Sequence, residues 1–350
     1  MGIEKIYGFG IIGTGAIADM HAEALKCIPN AKLLGVFNRS FEKANSFKDR
    51  HTCLAFDNLD DLLNFEGLDI VCICTPSGLH EDIAIKAIQK GKHCLIEKPL
   101  EITTEKCDRI IRTANANNVK LGVIFPSRFY PESKKIKAAI DKGRFGNLAI
   151  GSAYVKWSRT EAYYKQNAWR GTWELDGGGA LMNQAIHAVD VLQWYMGEVE
   201  SVQALTGNFR HKEIEVEDTA VAILKFSNGA LGVIECSTAI YPGFLKRIEI
   251  SGTEGSVIIE DADITRWEFE KEETGDELVV KKDKKHESVN GGVSNPMAIS
   301  FLGHQLQIEN FILSVNKGVN PFVDGNEGRK SVRIIEAIYE SAATGKSVII

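Results

Sequence analysis

Tyr7-Gly8-Phe9-Gly10-Ile11-Ile12-Gly13-Thr14-Gly15-Ala16-Ile17-Ala18 is the stretch on which the reading of this 350-residue chain turns. Its first six residues are apolar or glycine, the pattern of a short strand buried on both faces. Gly13-x-Gly15-x-x-Ala18 then leads into a helical pattern, which is the spacing of a dinucleotide-binding turn. Gly13 permits the tight turn, Gly15 has no side chain to block a pyrophosphate, and Ala18 lets the helix lie close to the strand. The helix start offers free N–H groups and partial positive charge to the phosphates. From this motif Gly13, Gly15, Ala16 and Ile17 are expected to touch the cofactor.

Outward from that turn the pattern repeats. Strands are expected at Tyr7–Gly13, Lys32–Phe37, Ile70–Thr75, His93–Ile96 and Lys120–Phe125, with helices at about Ala16–Cys27, Phe41–Arg50, Glu81–Lys90 and Glu105–Asn117. Runs such as Ile70-Val71-Cys72-Ile73-Cys74, apolar at every position, require helices over both sheet faces. Repeated βα units imply an α/β fold, a parallel doubly wound sheet with right-handed crossovers. Beyond residue 125 strands follow one another directly. Leu148–Trp157, Thr219–Phe226, Ala230–Ser237, Lys246–Ser251 and Ser256–Glu260 read as an open, mostly antiparallel sheet. Helices are expected near Met182–Tyr195 and Ala298–Asn316, a solvated hairpin or loop over Lys271–His286, and a mobile loop at Ser288–Pro296. The expected division is a nucleotide-binding Rossmann domain over residues 1–125 and an α+β domain for substrate and oligomer contacts over 126–350.

Composition narrows the function. With 44% hydrophobic residues, 25% charged residues and a net charge of −6, the chain is neither disordered nor suited electrostatically to nucleic acid. The seven cysteines and eight histidines show no zinc spacing, and Cys72 and Cys74 read as small core residues of one strand face. No metal is expected. No run reaches the ~18–20 apolar residues of a membrane span, and a reduced, cytoplasmic protein is expected.

The second strand ends Phe37-Asn38-Arg39-Ser40, where an NAD-specific site normally has an acidic residue for the ribose 2′-hydroxyl. Asn38 can bond a hydroxyl and does not repel a phosphate. Arg39 can pair with a 2′-phosphate, lie on the adenine, or simply cap the sheet edge. NADP, or use of both cofactors, is therefore favoured over NAD alone.

Two further loops stand at carboxyl ends of strands, where ligands of doubly wound sheets bind. Glu97-Lys98-Pro99 points a lysine toward the cofactor. Thr75-Pro76-Ser77-Gly78-Leu79-His80 offers backbone against the nicotinamide ribose, with His80 either a cofactor contact or a helix cap. In the second half, Gly177-Gly178-Gly179 precedes a helix on which Asn183, His187 and Asp190, spaced i, i+4 and i+7, share one face. A histidine on a polar stripe beside a glycine loop suits acid–base work.

Gly13-x-Gly15-x-x-Ala18, Thr75-Pro76, Glu97-Lys98-Pro99, Gly177-Gly178-Gly179…His187 and the closing Asp324-Gly325-x-Glu327-Gly328-Arg329-Lys330 resemble, in order, the glucose-fructose oxidoreductase/inositol dehydrogenase (Gfo/Idh/MocA) family. The resemblance spans nearly the whole chain. It implies an NAD(P)-dependent dehydrogenase of sugars, sugar derivatives or polyols, with Glu97 and Arg170 at the cofactor and a homo-oligomer built on the second domain. Lys98 and His187 are then the expected proton carriers. Family members commonly carry an aspartate at the position of Asn183, which here is left to orient substrate hydroxyls. Tyr163 and Trp169 offer ring faces to a sugar or pack beneath a loop. Arg128 and His304-Gln305 follow from the resemblance alone as substrate contacts. A nucleotide-linked amino-sugar 3-dehydrogenase, an oxidative glycosidase and a non-catalytic NAD(P)-binding regulator are the rival readings.

Overall fold

The computed structural model describes residues 5–280 and 300–350. The chain divides into two compact units, Met1–Pro126 with Phe301–Arg329, and Ser127–Ser300 with Lys330–Ile350.

The first unit contains strands β1 (Tyr7–Ile12), β2 (Ala31–Phe37), β3 (Leu54–Phe56), β4 (Leu68–Ile73), β5 (His93–Ile96) and β6 (Leu121–Val123). They form one sheet in the order β3-β2-β1-β4-β5-β6, with every pair parallel. Helices α1 (Ala16–Lys26), α2 (Phe41–His51), α3 (Leu59–Leu63), α4 (His80–Gln89) and α5 (Thr104–Ala116) connect them. Strand order reverses at β1/β4, which opens the ligand crevice beyond the carboxyl ends of those strands. All six residues of β1 are buried, as its apolar run demands. Ser40 and Thr103 cap α2 and α5 by accepting from the N–H groups of Lys43 and Lys106. β3 and α3 were not among the expected elements, because three and five residues are too few to show a period.

The second unit contains α6 (Pro131–Asp141), β7 (Leu148–Lys156), α7 (Glu161–Lys165), α8 (Ile186–Met196) and β8 to β13 (Val199–Gly207, Thr219–Phe226, Leu231–Ser237, Arg247–Gly252, Gly255–Glu260 and Asp263–Phe269). With β14 (Val348–Ile349) they build an eight-stranded sheet, β13-β12-β11-β7-β10-β9-β8-β14. Its pairs are antiparallel apart from β7 with β10. β9 shows why the sheet is open: Ala220, Ala222, Leu224 and Phe226 are buried while Val221, Ile223 and Lys225 are exposed. The expected loop after Lys271 is, in its described part, a docked turn. Asp276 takes hydrogen bonds from the Arg144 guanidinium at 2.6 and 3.0 Å and from Trp267 Nε1 at 2.7 Å. Residues 281–286 and the expected mobile loop Ser288–Pro296 lie outside the described residues.

The last helices are α9 (Leu302–Lys317) and α10 (Gly325–Thr344). A single boundary at residue 125 put α9 in the second domain, and this is corrected. Ile308, Phe311 and Ile312 of α9 are buried in one cluster with Phe9, Ile11, Ile70, Leu95 and the α1 residues Ala18, Ala22 and Leu25. Gln307 also satisfies backbone at the end of β6, accepting from Phe125 N at 3.0 Å and donating to Val123 O at 2.6 Å. Covering the sheet's apolar face thus draws a segment from far along the chain.

Candidate active site

The phosphate cradle has the geometry its spacing implies. Gly13 sits at φ +103°, and a Cβ there would lie 2.6 Å from Cys74 O, so this glycine serves the fold. Gly15 differs: a Cβ there meets nothing within 4 Å, and as N-cap of α1 it provides no side-chain hydrogen bond. Open space lies in front of the first N–H groups of the helix, which fits a pyrophosphate. Gly15→Ala should therefore leave the melting temperature nearly unchanged while weakening dinucleotide binding by about tenfold or more, the cost of a displaced phosphate hydrogen bond. Thermal shift and titration calorimetry read the two effects separately. Equal affinity for the variant would place the phosphates elsewhere.

At the end of β2, Asn38 turns into the protein, donating to Thr14 Oγ1 at 2.8 Å and accepting from Ser40 N at 2.9 Å. It braces the glycine turn, and the exposed Arg39 is the outward side chain. Thr75 and Pro76 are half-buried.

Glu97, expected at the cofactor, and His80, expected as either a cofactor contact or a helix cap, both have buried side chains, which corrects them as side-chain contacts of the cofactor. His80 is 1% exposed, with Nδ1 2.9 Å from Pro99 O and Nε2 3.0 Å from Thr75 O. It clamps the loop after β4 to the loop after β5. Burial lowers its pKa, partly offset by those carbonyls. The Glu97 carboxylate is buried among His21 Nε2 at 2.8 Å, His304 Nε2 at 3.5 Å and Lys98 N at 3.3 Å. Burial opposes its ionisation, but the hydrogen bonds from His21 and His304 outweigh burial and hold the carboxyl well below its usual range. His304, expected at the substrate, is thereby tied to Glu97 and buried. These ligand-type atoms lie within 4.8 Å of one another. As acceptor for two ring N–H groups and one amide, Glu97 is satisfied in place, and it fixes the backbone from which the half-buried Lys98 projects.

In the second unit the helix carrying His187 begins as a π-helix, Ala180–Ala185, before α8 takes over. Such wide turns recur at functional sites, and this one shifts the phase of the helix. Asn183 and His187 are half-buried, whereas Asp190 is fully buried and leaves the shared face. Asp190 binds the Arg128 guanidinium with both oxygens, at 2.8 and 2.7 Å. Arg128 is 1% exposed, so its expected place at the substrate is corrected to an interior ion pair.

The glycine run answers chiefly to the protein itself. A Cβ on Gly178 would lie 2.1 Å from Tyr339 Oη, and one on Gly179 only 1.8 Å from Glu217 O. Glu217 accepts from Gly179 N, Leu181 N and Tyr339 Oη at 3.0, 2.8 and 3.1 Å. Burial outweighs these bonds and pushes its pKa up to about 7.

Around Asn183 a polar cluster gathers. Asn183 Nδ2 donates to Asp176 at 2.5 Å, and Gln184 Nε2 donates to Tyr163 Oη at 2.9 Å. Arg170 lies 4.0 Å from the Tyr163 ring centroid and donates to Tyr163 O at 3.0 Å. Arg159 lies 5.5 Å over the same ring, and Trp169 is half-buried with Arg170 5.5 Å from its ring. Tyr163, Arg170, Trp169 and Asn183 are thus neighbours. Arg159, Asp176, Gln184 and Glu217 were missed. The one signal was an acid, Asp176, standing directly before three glycines.

A doubly wound parallel sheet with an open glycine cradle, in one chain with an open antiparallel sheet bearing this cluster, defines an NAD-binding oxidoreductase. Residues 7–125 match the oxidoreductase family, NAD-binding Rossmann fold, and residues 133–258 match the GFO/IDH/MocA C-terminal domain. The chain belongs to the Gfo/Idh/MocA family. It is 33% identical to the WlbA dehydrogenase of Bordetella pertussis, solved with NADH and UDP-GlcNAcA, covering 99% of this chain and 98% of that one with a TM-score of 0.91. The Chromobacterium violaceum WlbA structure with the same ligands is also 33% identical, covering 100% and 97%, with a TM-score of 0.88. Myo-inositol 2-dehydrogenase of Thermotoga maritima is 28% identical over 349 residues, 97% of each chain.

Proposed function

We propose that this protein transfers hydride between NAD(P) and a secondary carbinol carbon of a sugar derivative, and that the substrate class is a nucleotide-linked amino sugar bearing negative charge. The observation that carries the choice is the half-buried Arg170 guanidinium, 4.0 Å from the Tyr163 ring centroid. A charged sugar derivative offers it an anion, and a neutral polyol does not. The 33% identity to a dehydrogenase solved with UDP-GlcNAcA supports the same class.

Bound dinucleotide supplies the hydride acceptor or donor. Lys98 holds the carbinol hydroxyl, and His187 accepts or returns its proton. Asn183 and Tyr163 orient neighbouring hydroxyls, and Trp169 offers a ring face. With no carboxylate at the end of β2 and Arg39 outward, use of NADP or of both cofactors follows. The exposed apolar stripe Ile150, Leu205, Val221, Ile223 and Leu231 on the open sheet supports subunit association there, read by sedimentation. No helix among the described residues is long and apolar enough to cross a membrane, and a cytoplasmic site is part of this proposal.

The test is kcat/KM for UDP-GlcNAcA and for myo-inositol, each with NAD+ and NADP+. The expected result is turnover of the nucleotide sugar, with NADP+ at least equal to NAD+. Turnover of inositol alone would replace the amino sugar by a polyol, and a strong preference for NAD+ would remove Arg39 from cofactor selection.

A further inference from the structure

Arg159, Gln184, Asn183 and Asp176 form a single hydrogen-bonded file. Arg159 donates to Gln184 Oε1 at 2.8 Å, Gln184 Nε2 donates to Asn183 Oδ1 at 2.5 Å, and Asn183 Nδ2 donates to Asp176 Oδ1 at 2.5 Å. Both ends are buried, Arg159 at 3% and Asp176 at 2% exposure. A guanidinium can only donate and a carboxylate can only accept. Each end therefore dictates how the amide next to it turns, and the two dictates agree along the file. The second Asp176 oxygen accepts from Gly171 N at 2.9 Å, so the carboxylate is anchored to the turn that carries Arg170.

We propose that Asp176 is a positioning residue of the substrate site, acting through Asn183. By taking the Asn183 amide it sets Oδ1 on the side of Tyr163, whose hydroxyl donates to it at 3.5 Å. Tyr163 Oη accepts from Gln184 Nε2, and its proton, on the long bond to Asn183 Oδ1, can pass to a sugar oxygen. The corner thus presents one acceptor, Asn183 Oδ1, beside one donor, the Tyr163 hydroxyl. That is the complement of a sugar hydroxyl, which both donates and accepts. The proposal rests on the reading that a sugar derivative binds beside Asn183.

In Asp176→Asn the new amide keeps its oxygen on Gly171 N and sets an NH2 group against the NH2 of Asn183. Asn183 must then turn, Gln184 turns with it, and an NH2 group meets Arg159. The file cannot be satisfied in either sense. The expected result is a loss of about 10- to 100-fold in kcat/KM for UDP-GlcNAcA, the size of one misdirected buried hydrogen bond. The double variant Asp176→Asn/Asn183→Asp exchanges amide and carboxylate, preserves every donor and acceptor along the file, and should restore most of the loss. Gln184→Glu, at a half-buried position, can accept from Arg159 but cannot donate to Asn183, and should lose activity in the same range. Melting temperatures are measured alongside. Wild-type kcat/KM in Asp176→Asn or in Gln184→Glu would overturn the proposal, as would a folded double variant no better than Asp176→Asn. A wild-type protein that neither binds nor oxidises UDP-GlcNAcA would remove the substrate reading and this proposal with it. An active wild type with an indifferent Asp176→Asn removes this proposal alone.

Discussion

Replacing Lys98 by methionine, or His187 by alanine, lowers kcat by ~10²–10⁴, the usual share of acid–base catalysis, while the dissociation constant for the dinucleotide stays within experimental error. The expectation follows from where each residue stands. Lys98 projects half-buried from a loop whose backbone is held by the Glu97 carboxylate at 3.3 Å. Methionine keeps its length and loses only its charge and donors. His187 stands half-buried one turn beyond Asn183, past the π-helix. If both serve one proton transfer, the double variant is little worse than the poorer single one, because groups that act as a unit are not additive. Stopped-flow rates of nicotinamide reduction, with binding followed by calorimetry, check both points. Near-wild-type turnover in both single variants would contradict the assignment.

The second large effect falls on stability. Arg128→Met should cost about 3–5 kcal/mol, the usual loss when one member of a buried ion pair is removed. Asp190 would be left at 0% exposure without that guanidinium, with Ser331 Oγ 3.5 Å away. Removing both charges in Arg128→Met/Asp190→Leu should recover most of that loss, since replacing a buried pair by apolar groups is often nearly neutral. Urea unfolding of the three proteins gives the comparison. Below the unfolding transition, Arg128→Met should keep the wild-type KM. A raised KM with unchanged stability would return Arg128 to the substrate site.

The contrast between Lys98 and Arg128 shows what the amino-acid sequence discloses. The cradle was legible because its function is local: strand, two glycines and helix lie within twelve residues, and spacing alone states the chemistry. The position of Lys98 just past β5 was legible for the same reason, since a strand end is visible in the sequence. Arg128 was not, because its partner Asp190 lies 62 residues away and a buried arginine resembles an exposed one in sequence. Glu97 likewise meets His21 and His304 only after α1 and α9 cover the same sheet. Asp190 was misplaced by phase, since the i, i+4, i+7 rule assumes an α-helix and the chain opens with a π-helix. Two of the three central glycines looked like a ligand approach and are needed instead for contact with Glu217 and Tyr339.

The most direct measurement is the fate of the hydrogen on the reacting carbon. UDP-GlcNAcA deuterated at C3 is incubated with the enzyme and oxidised dinucleotide, and both products are weighed by mass spectrometry. One deuterium transferred to the dihydronicotinamide for each sugar oxidised is the predicted result. Sugar consumed with its label released to solvent, or retained in the sugar, would contradict hydride transfer as the work of this site.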